Sequence, residues 1–257
     1  MAILQVQGRQ IACDGILFDK DGTLLEFLQL WGPWAESLLN QLERKLEQMG
    51  GTFTLPKEQV FGTVHDPHGR IVGYDPQGPL AIATVDESTG LLAGQLYAAG
   101  MAWNDAVTAI RSMSTVAMCH VREKRHAEPL HGLPAFVRSC MEAALPLAVV
   151  TSDSTAAAEE HLEWMGLRPF FASIVGCDRV TLGKPDGESA LLACRELNIR
   201  PESAVIVGDS NGDMQMGRSI GAALLIGVSP PGGEAARLRD ADIMIRDYAE
   251  LSIIKDA

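Results

Sequence analysis

From Gly15 onward the chain strings short apolar runs between polar turns. They fall at Gly15–Phe18, Leu147–Val150, Ala172–Val175, Ala204–Val207, Ala222–Ile226 and Ile243–Ile245. Helical patterns lie between the later runs, at Ser154–Met165, Gly187–Leu197 and Asp213–Ser219. Strands that alternate with helices make βαβ units, and strands covered on both faces of a parallel sheet read as near-continuous apolar runs. The expected fold is therefore α/β, with a parallel sheet sandwiched between helices in three layers.

The first interval breaks this alternation. Between Leu24 and about Glu128, "PWAESLLNQLERKLEQMG" (Pro33–Gly50) has Pro near a helix start, apolar residues at helical spacing and Gly at the end. "STGLLAGQLYAAG" and "WNDAVTAIRSMSTVAMCHVRE" also read as helices, while "HDPHGRIVGYDPQGP" (His65–Pro79) reads as loop or short hairpin. The expectation is a core domain of residues 1–24 and 129–257 carrying a mostly helical insert, residues 25–128. A chain of 257 residues has room for both.

Composition narrows the function. With 21 Lys plus Arg against 33 Asp plus Glu, the formal charge is −12, the opposite of a nucleic-acid footprint. Any anionic ligand must be attracted locally. Five cysteines without C-x-x-C spacing read as reduced thiols, and no run approaches the ~18 apolar residues of a spanning helix. The expected setting is cytoplasmic, with no membrane partner; oligomeric state is not legible.

In open α/β sheets, ligands bind beyond the carboxyl ends of the strands. After the first run comes "DKDGT" (Asp19–Thr23), and after the second "TSDS" (Thr151–Ser154). Lys184, in "LGKPDGE", follows the third by a short loop, and the fourth runs into "GDSNGD" (Gly208–Asp213). Alone, each has an ordinary reading: a D-x-D-G turn, a helix cap with its first-turn acid, a surface lysine. Together they bring carboxylates, a hydroxyl and an ammonium to one sheet edge. Asp19, Asp21, Asp209 and Asp213 offer hard oxygen ligands suited to Mg²⁺, which would offset their mutual repulsion and admit a phosphate. Lys184 adds a point charge, and Thr151, Ser152 and the N–H groups at the following helix start form an anion cradle. One carboxylate can attack phosphorus, and a second, two residues on, can move protons to and from oxygen. Gly22 lets the chain turn sharply enough for both to face inward.

These four motifs, in order, resemble those of the haloacid dehalogenase superfamily, and the stretch from about Ala135 to Pro231 is similar to its phosphoglycolate phosphatase-like branch. The resemblance implies a Rossmann-like core, with Asp19 as nucleophile and metal ligand and Asp21 as general acid/base, its carbonyl also on the metal. It further implies that Thr151, Ser152, Gly22 and Lys184 hold phosphate, that Asp209 and Asp213 serve Mg²⁺, and that the insert is a helical cap closing over the site. Dehalogenases of the superfamily lack an acid at the second position, so Asp21 points to hydrolysis of a small phosphorylated metabolite such as phosphoglycolate or a sugar phosphate. A phosphomutase of the β-phosphoglucomutase type and a non-catalytic phosphate-binding regulator are the alternatives. Two departures stand out: "DGES" follows the GKP proline, and Asp153 occupies a place where many relatives carry Lys. His65, His68 and His131 lack partners at metal spacing and read as loop or packing residues, as do Trp31 and Trp34.

Overall fold

The computed structural model describes residues 2–229 and 238–254. Met1, residues 230–237 and residues 255–257 fall in the ranges assigned above to the core, and Pro230 and Pro231 end the resembling stretch; all lie outside the described residues. The chain divides into two compact units, Met1–Glu26 with Ala127–Ala257, and Phe27–His126.

In chain order, the first unit opens with strands β1 (Ala2–Val6), β2 (Arg9–Cys13) and β3 (Gly15–Phe18). The second unit holds α1 (Phe27–Gln48), α2 (Lys57–Phe61), β4 (Thr63–His65), β5 (Ile71–Tyr74), α3 (Pro79–Ile82), α4 (Val85–Ala98) and α5 (Trp103–Lys124). The first then resumes with α6 (Leu133–Glu142), β6 (Leu147–Val150), α7 (Thr155–Trp164), β7 (Ser173–Val175), α8 (Glu188–Leu197) and β8 (Ala204–Gly208). It ends with α9 (Asn211–Ser219), β9 (Leu224–Val228), β10 (Ile243–Ile245) and β11 (Leu251–Ile254).

Six strands form one parallel sheet in the order β10-β9-β8-β3-β6-β7. Every residue of β3, β6, β8 and β9 is buried, as their unbroken apolar sequences require. The pleat sorts their side chains between two layers. Ile16, Phe18, Leu147, Val149, Val205 and Val207 face Leu133, Phe136 and Cys140 of α6 and Ala158 and Leu162 of α7. Leu17, Ala148, Val150 and Ile206 face Ala190, Ala193 and Cys194 of α8 and Met214 and Met216 of α9. The α/β, three-layer expectation holds. From β3 the chain steps to β6 and β7 on one side, then returns to β8 on the other, so the strand order reverses between β3 and β8. A crevice at such a switch point is where this architecture binds ligands.

The N-terminal hairpin does not extend that sheet. β1 pairs antiparallel with β2 and with β11, making a separate three-stranded sheet whose Leu4 and Val6 join the same core.

In the second unit, Leu38, Leu39, Leu42 and Leu46 of α1 pack with Leu92 and Leu96 of α4 and with Ala106 and Ile110 of α5. The expected start of α1 at Pro33 is corrected: the helix begins at Phe27 and Pro33 lies inside it. A proline there forgoes one backbone bond, but Phe27 and Leu30 are buried on the stripe that Ala35 and Leu38 continue, and that burial outweighs the loss. His65–Pro79 contains β5 and the last residue of β4, and the two strands form a hairpin with a register irregularity at Val64/His65. Trp31 and Trp34 meet edge to face, and Trp34 stacks on Phe61, so both serve packing. Among the described residues no helix is long and apolar enough to cross a membrane.

Candidate active site

β3 delivers the first motif. The Asp19 N–H donates to the Val207 carbonyl of β8 at 2.9 Å, prolonging the ladder one residue past the strand and pinning Asp19 at the switch point. The chain then folds back: Leu24 N–H donates to Lys20 O (2.8 Å) and Gly22 N–H to Leu25 O (3.0 Å). Gly22 has φ +79°, and a Cβ there would lie 2.4 Å from Asp209 Oδ2. Only glycine permits both that backbone conformation and that approach. Behind the loop, the buried Tyr248 hydroxyl donates to Thr23 O at 3.0 Å.

β8 and α9 deliver the fourth motif. Ser210 caps α9 in a reciprocal box with Asp213, whose Oδ2 accepts from the Ser210 N–H (3.0 Å) and hydroxyl (2.6 Å). Asp213 Oδ1 is left for Lys184, whose Nζ stands 2.7 Å away. One side chain is thus a helix cap through one oxygen and a site carboxylate through the other. Gly208 makes this fit possible, since a Cβ there would meet Asp213 Cβ at 2.4 Å. Thr23 Oγ1 reaches Asp209 Oδ1 at 3.5 Å.

Lys184 ties the two motifs together. Its Nζ lies 2.6 Å from Asp19 Oδ1 as well as 2.7 Å from Asp213. Burial alone would strip the ammonium of its proton, but the two carboxylates outweigh it and hold the Lys184 pKa above its ordinary range. Burial pushes the Asp19 carboxyl up to about 6 although Lys184 pulls it down, with Asp213 and Asp21 adding to the rise.

The second motif follows β6. Thr151 is buried; its N–H donates to Val175 O at 3.0 Å, and its hydroxyl accepts from the Asp153 N–H at 3.1 Å. Ser154 caps α7 by accepting from the Ala157 N–H, and Ser152 is exposed. Because β6 adjoins β3 with Val149 opposite Phe18, Thr151 and Ser152 lie at the same sheet edge as Asp19.

Of the residues expected from sequence, Lys184 meets Asp19 and Asp213 directly, Asp209 gathers with those two acids, and Gly22 lies against Asp209. The Asp21 carboxylate engages a residue that sequence reasoning passed over. Lys20 is completely buried, its Nζ 2.7 and 2.8 Å from the two Asp21 oxygens, 3.3 Å from Asp153 Oδ2 and 3.0 Å from His161 Nδ1. No local signal marks it, because its burial rests on Asp153 and His161, which lie more than a hundred positions along the chain.

The donor set fits a hard divalent cation. Asp19, Asp209 and Asp213 bring carboxylate oxygens within 4.8 Å of one another, all oxygen and with no sulfur or imidazole among them. Five acids (Asp19, Asp21, Asp153, Asp209, Asp213) crowd two lysines, leaving an excess of negative charge for a cation to offset.

The family model for haloacid dehalogenase-like hydrolases matches residues 13–221. A plasmid-borne phosphoglycolate phosphatase of Cupriavidus necator is 31% identical over 90% of this chain and 89% of its own length. Hexitol phosphatase A of Escherichia coli K12 is 24% identical over 95% of each chain. Among solved structures, a predicted phosphoglycolate phosphatase from Haemophilus somnus superimposes with a TM-score of 0.66 at 16% identity, covering 93% of this chain and 96% of that one. Fold, motif order and sequence converge: the chain belongs to the haloacid dehalogenase-like hydrolase family and is a hydrolytic enzyme.

Proposed function

We propose that the protein is a cytoplasmic, Mg²⁺-dependent phosphatase that hydrolyses a small phosphorylated metabolite, phosphoglycolate- or sugar-phosphate-like, through an aspartyl-phosphate on Asp19. The observation that carries this is Asp19 itself, buried at the switch point, 2.6 Å from Lys184 and grouped with Asp209 and Asp213. Relatives named as phosphatases over nearly the whole chain support the substrate class. Free thiols at all five cysteines support a reducing compartment.

Asp19, Asp209, Asp213 and the Asp21 carbonyl would hold the ion, which when bound supplies the positive charge that lets a phosphate dianion join a cluster of acids. An Asp19 oxygen attacks phosphorus while the ester P–O bond breaks. The departing oxygen takes its electron pair and receives a proton from Asp21. Lys184 stays close to Asp19 and steadies the negative charge that gathers on the phosphoryl oxygens. Thr151, Ser152, Gly22 and the N–H groups opening α7 complete the phosphate cradle. Water then attacks phosphorus, its proton passes to Asp21, and the Asp19 carboxylate is released. The helical residues 25–128 act as the cap that sets specificity.

The test is turnover of an aryl phosphate in Mg²⁺. Asp19→Asn should abolish it, and full retained activity would overturn the mechanism.

A further inference from the structure

Lys20 carries an inference that rests on the phosphatase reading and extends it. A buried ammonium is several kcal/mol worse off than a hydrated one unless its N–H groups are met. Here they are met from two directions. One is α7 and its cap: Asp153 Oδ2 lies 3.3 Å away, and the other Asp153 oxygen is fixed by the Ser154 N–H at 2.7 Å. His161, 1% exposed, sits on the same helix with Nδ1 at 3.0 Å and its ring beside Trp164. An ammonium has no lone pair, so Lys20 donates and Nδ1 accepts, which leaves His161 neutral with its proton on Nε2.

The other direction is Asp21, both of whose oxygens are within 2.8 Å of Nζ. Its side chain is the most exposed of the charged trio, at 21% against 0% for Lys20 and 16% for Asp153. The cation is therefore anchored on a helix and presents a carboxylate at the open edge of the site. Lys20 thus grips Asp21 through both carboxylate oxygens. Burial works against the Lys20 charge, but Asp21 and Asp153 outweigh it and keep its pKa above the ordinary lysine range.

We propose that Lys20, braced by Asp153 and His161, is a positioning residue that holds the Asp21 carboxylate in place to accept the proton of water in the second half-reaction. In that step the water oxygen bonds to phosphorus, the bond between phosphorus and the Asp19 oxygen breaks with its electron pair returning to Asp19, and the water proton goes to Asp21. Loosening Asp21 should retard this half-reaction selectively when the leaving group needs no proton.

The experiment uses 2,4-dinitrophenyl phosphate, whose leaving group departs as a stable anion, with the full-length enzyme in Mg²⁺. For Lys20→Met, kcat should fall about tenfold or more and KM by the same factor, leaving kcat/KM within about threefold of wild type. Acid-quenched samples should carry more phosphate on the protein than wild type does. Equal falls in kcat and kcat/KM, or no fall in either, would overturn the proposal. Should Lys20→Met not fold, as judged by circular dichroism, Lys20→Met/Asp153→Asn decides by the same criteria, because removing both charges together leaves no carboxylate at position 153 stranded without its cation. Wild-type enzyme that does not turn over the substrate at all would instead sink the phosphatase reading.

Discussion

Gly22→Ala is the sharpest single perturbation of the site. The backbone at Gly22 is left-handed, at φ +79°, where a Cβ costs about 1–2 kcal/mol. The new Cβ would also lie 2.4 Å from Asp209 Oδ2 and 2.8 Å from its Cγ. Ordinary contact begins at 3.4 Å, so the carboxylate must retreat by 3.4 − 2.4 = 1.0 Å. The backbone cost converts to a Tm lowered by roughly 2–8 °C for a chain of this size, read in EDTA to remove any contribution from metal. A 1 Å misplacement of a ligating group costs on the order of 100-fold in rate, so kcat/KM on an aryl phosphate should fall by about that factor. The Mg²⁺ concentration for half-maximal activity should rise as well. Melting and a Mg²⁺ titration of turnover separate the two effects. An unchanged Tm would refute the strain argument, and a lowered Tm with wild-type turnover and Mg²⁺ requirement would show that Asp209 is not part of the machinery.

Other consequences are open to simple measurements. Lys184→Met strands Asp19 and Asp213 beside each other and should cost about 3–5 kcal/mol, seen as a large drop in Tm that added Mg²⁺ partly restores; a Tm within 2 °C of wild type, roughly 1 kcal/mol or less, would contradict it. Burial pushes the thiols of Cys13, Cys140 and Cys194 up to about 11, 12 and 11, so a native-state thiol reagent should label only the exposed Cys119 and Cys177, and rapid labelling of all five would count against the packing. The hydrogen bonds from Arg179, at 2.5 and 3.2 Å, lower the Glu196 carboxyl below its ordinary range. A group depressed in the folded state stabilises above its unfolded pKa and loses that contribution as pH falls through the folded one. Glu196→Gln should therefore melt lower than wild type at neutral pH, the two converging as the pH falls below the ordinary glutamate range, and parallel curves would exclude the linkage. Hexose 1-phosphate should yield inorganic phosphate; an isomeric sugar phosphate would turn the reading toward a phosphomutase.

Much of this molecule is legible in its sequence because its chemistry is written at strand ends. A strand buried on both faces has to be continuously apolar, so Gly15–Phe18, Leu147–Val150 and Ala204–Gly208 announce themselves. The polar residue that follows each must then lie at the sheet edge. That local logic was enough to bring Asp19, Thr151, Asp209 and Asp213 to one edge, together with Lys184 from the loop beyond β7. It failed at Pro33, where helix propensity was the wrong guide and burial of Phe27 and Leu30 extended α1 past the proline.

Contacts between residues distant in sequence were decided only by folding. Lys20 pairs with Asp153 and His161 across more than a hundred positions, and nothing in the five letters of "DKDGT" distinguishes a solvated lysine from a fully buried one. The two-sided use of Asp213, helix cap through one oxygen and Lys184 partner through the other, depends on α9 starting where β8 ends and on Lys184 arriving from the loop beyond β7. By itself, the sequence determined the strands of the parallel sheet, the order of the motifs and the acids that gather at one edge, because each follows from short-range pattern. The tertiary structure decided which carboxylate each ammonium neutralises, because burial and charge pairing depend on neighbours that only the folded sheet and its helices bring together.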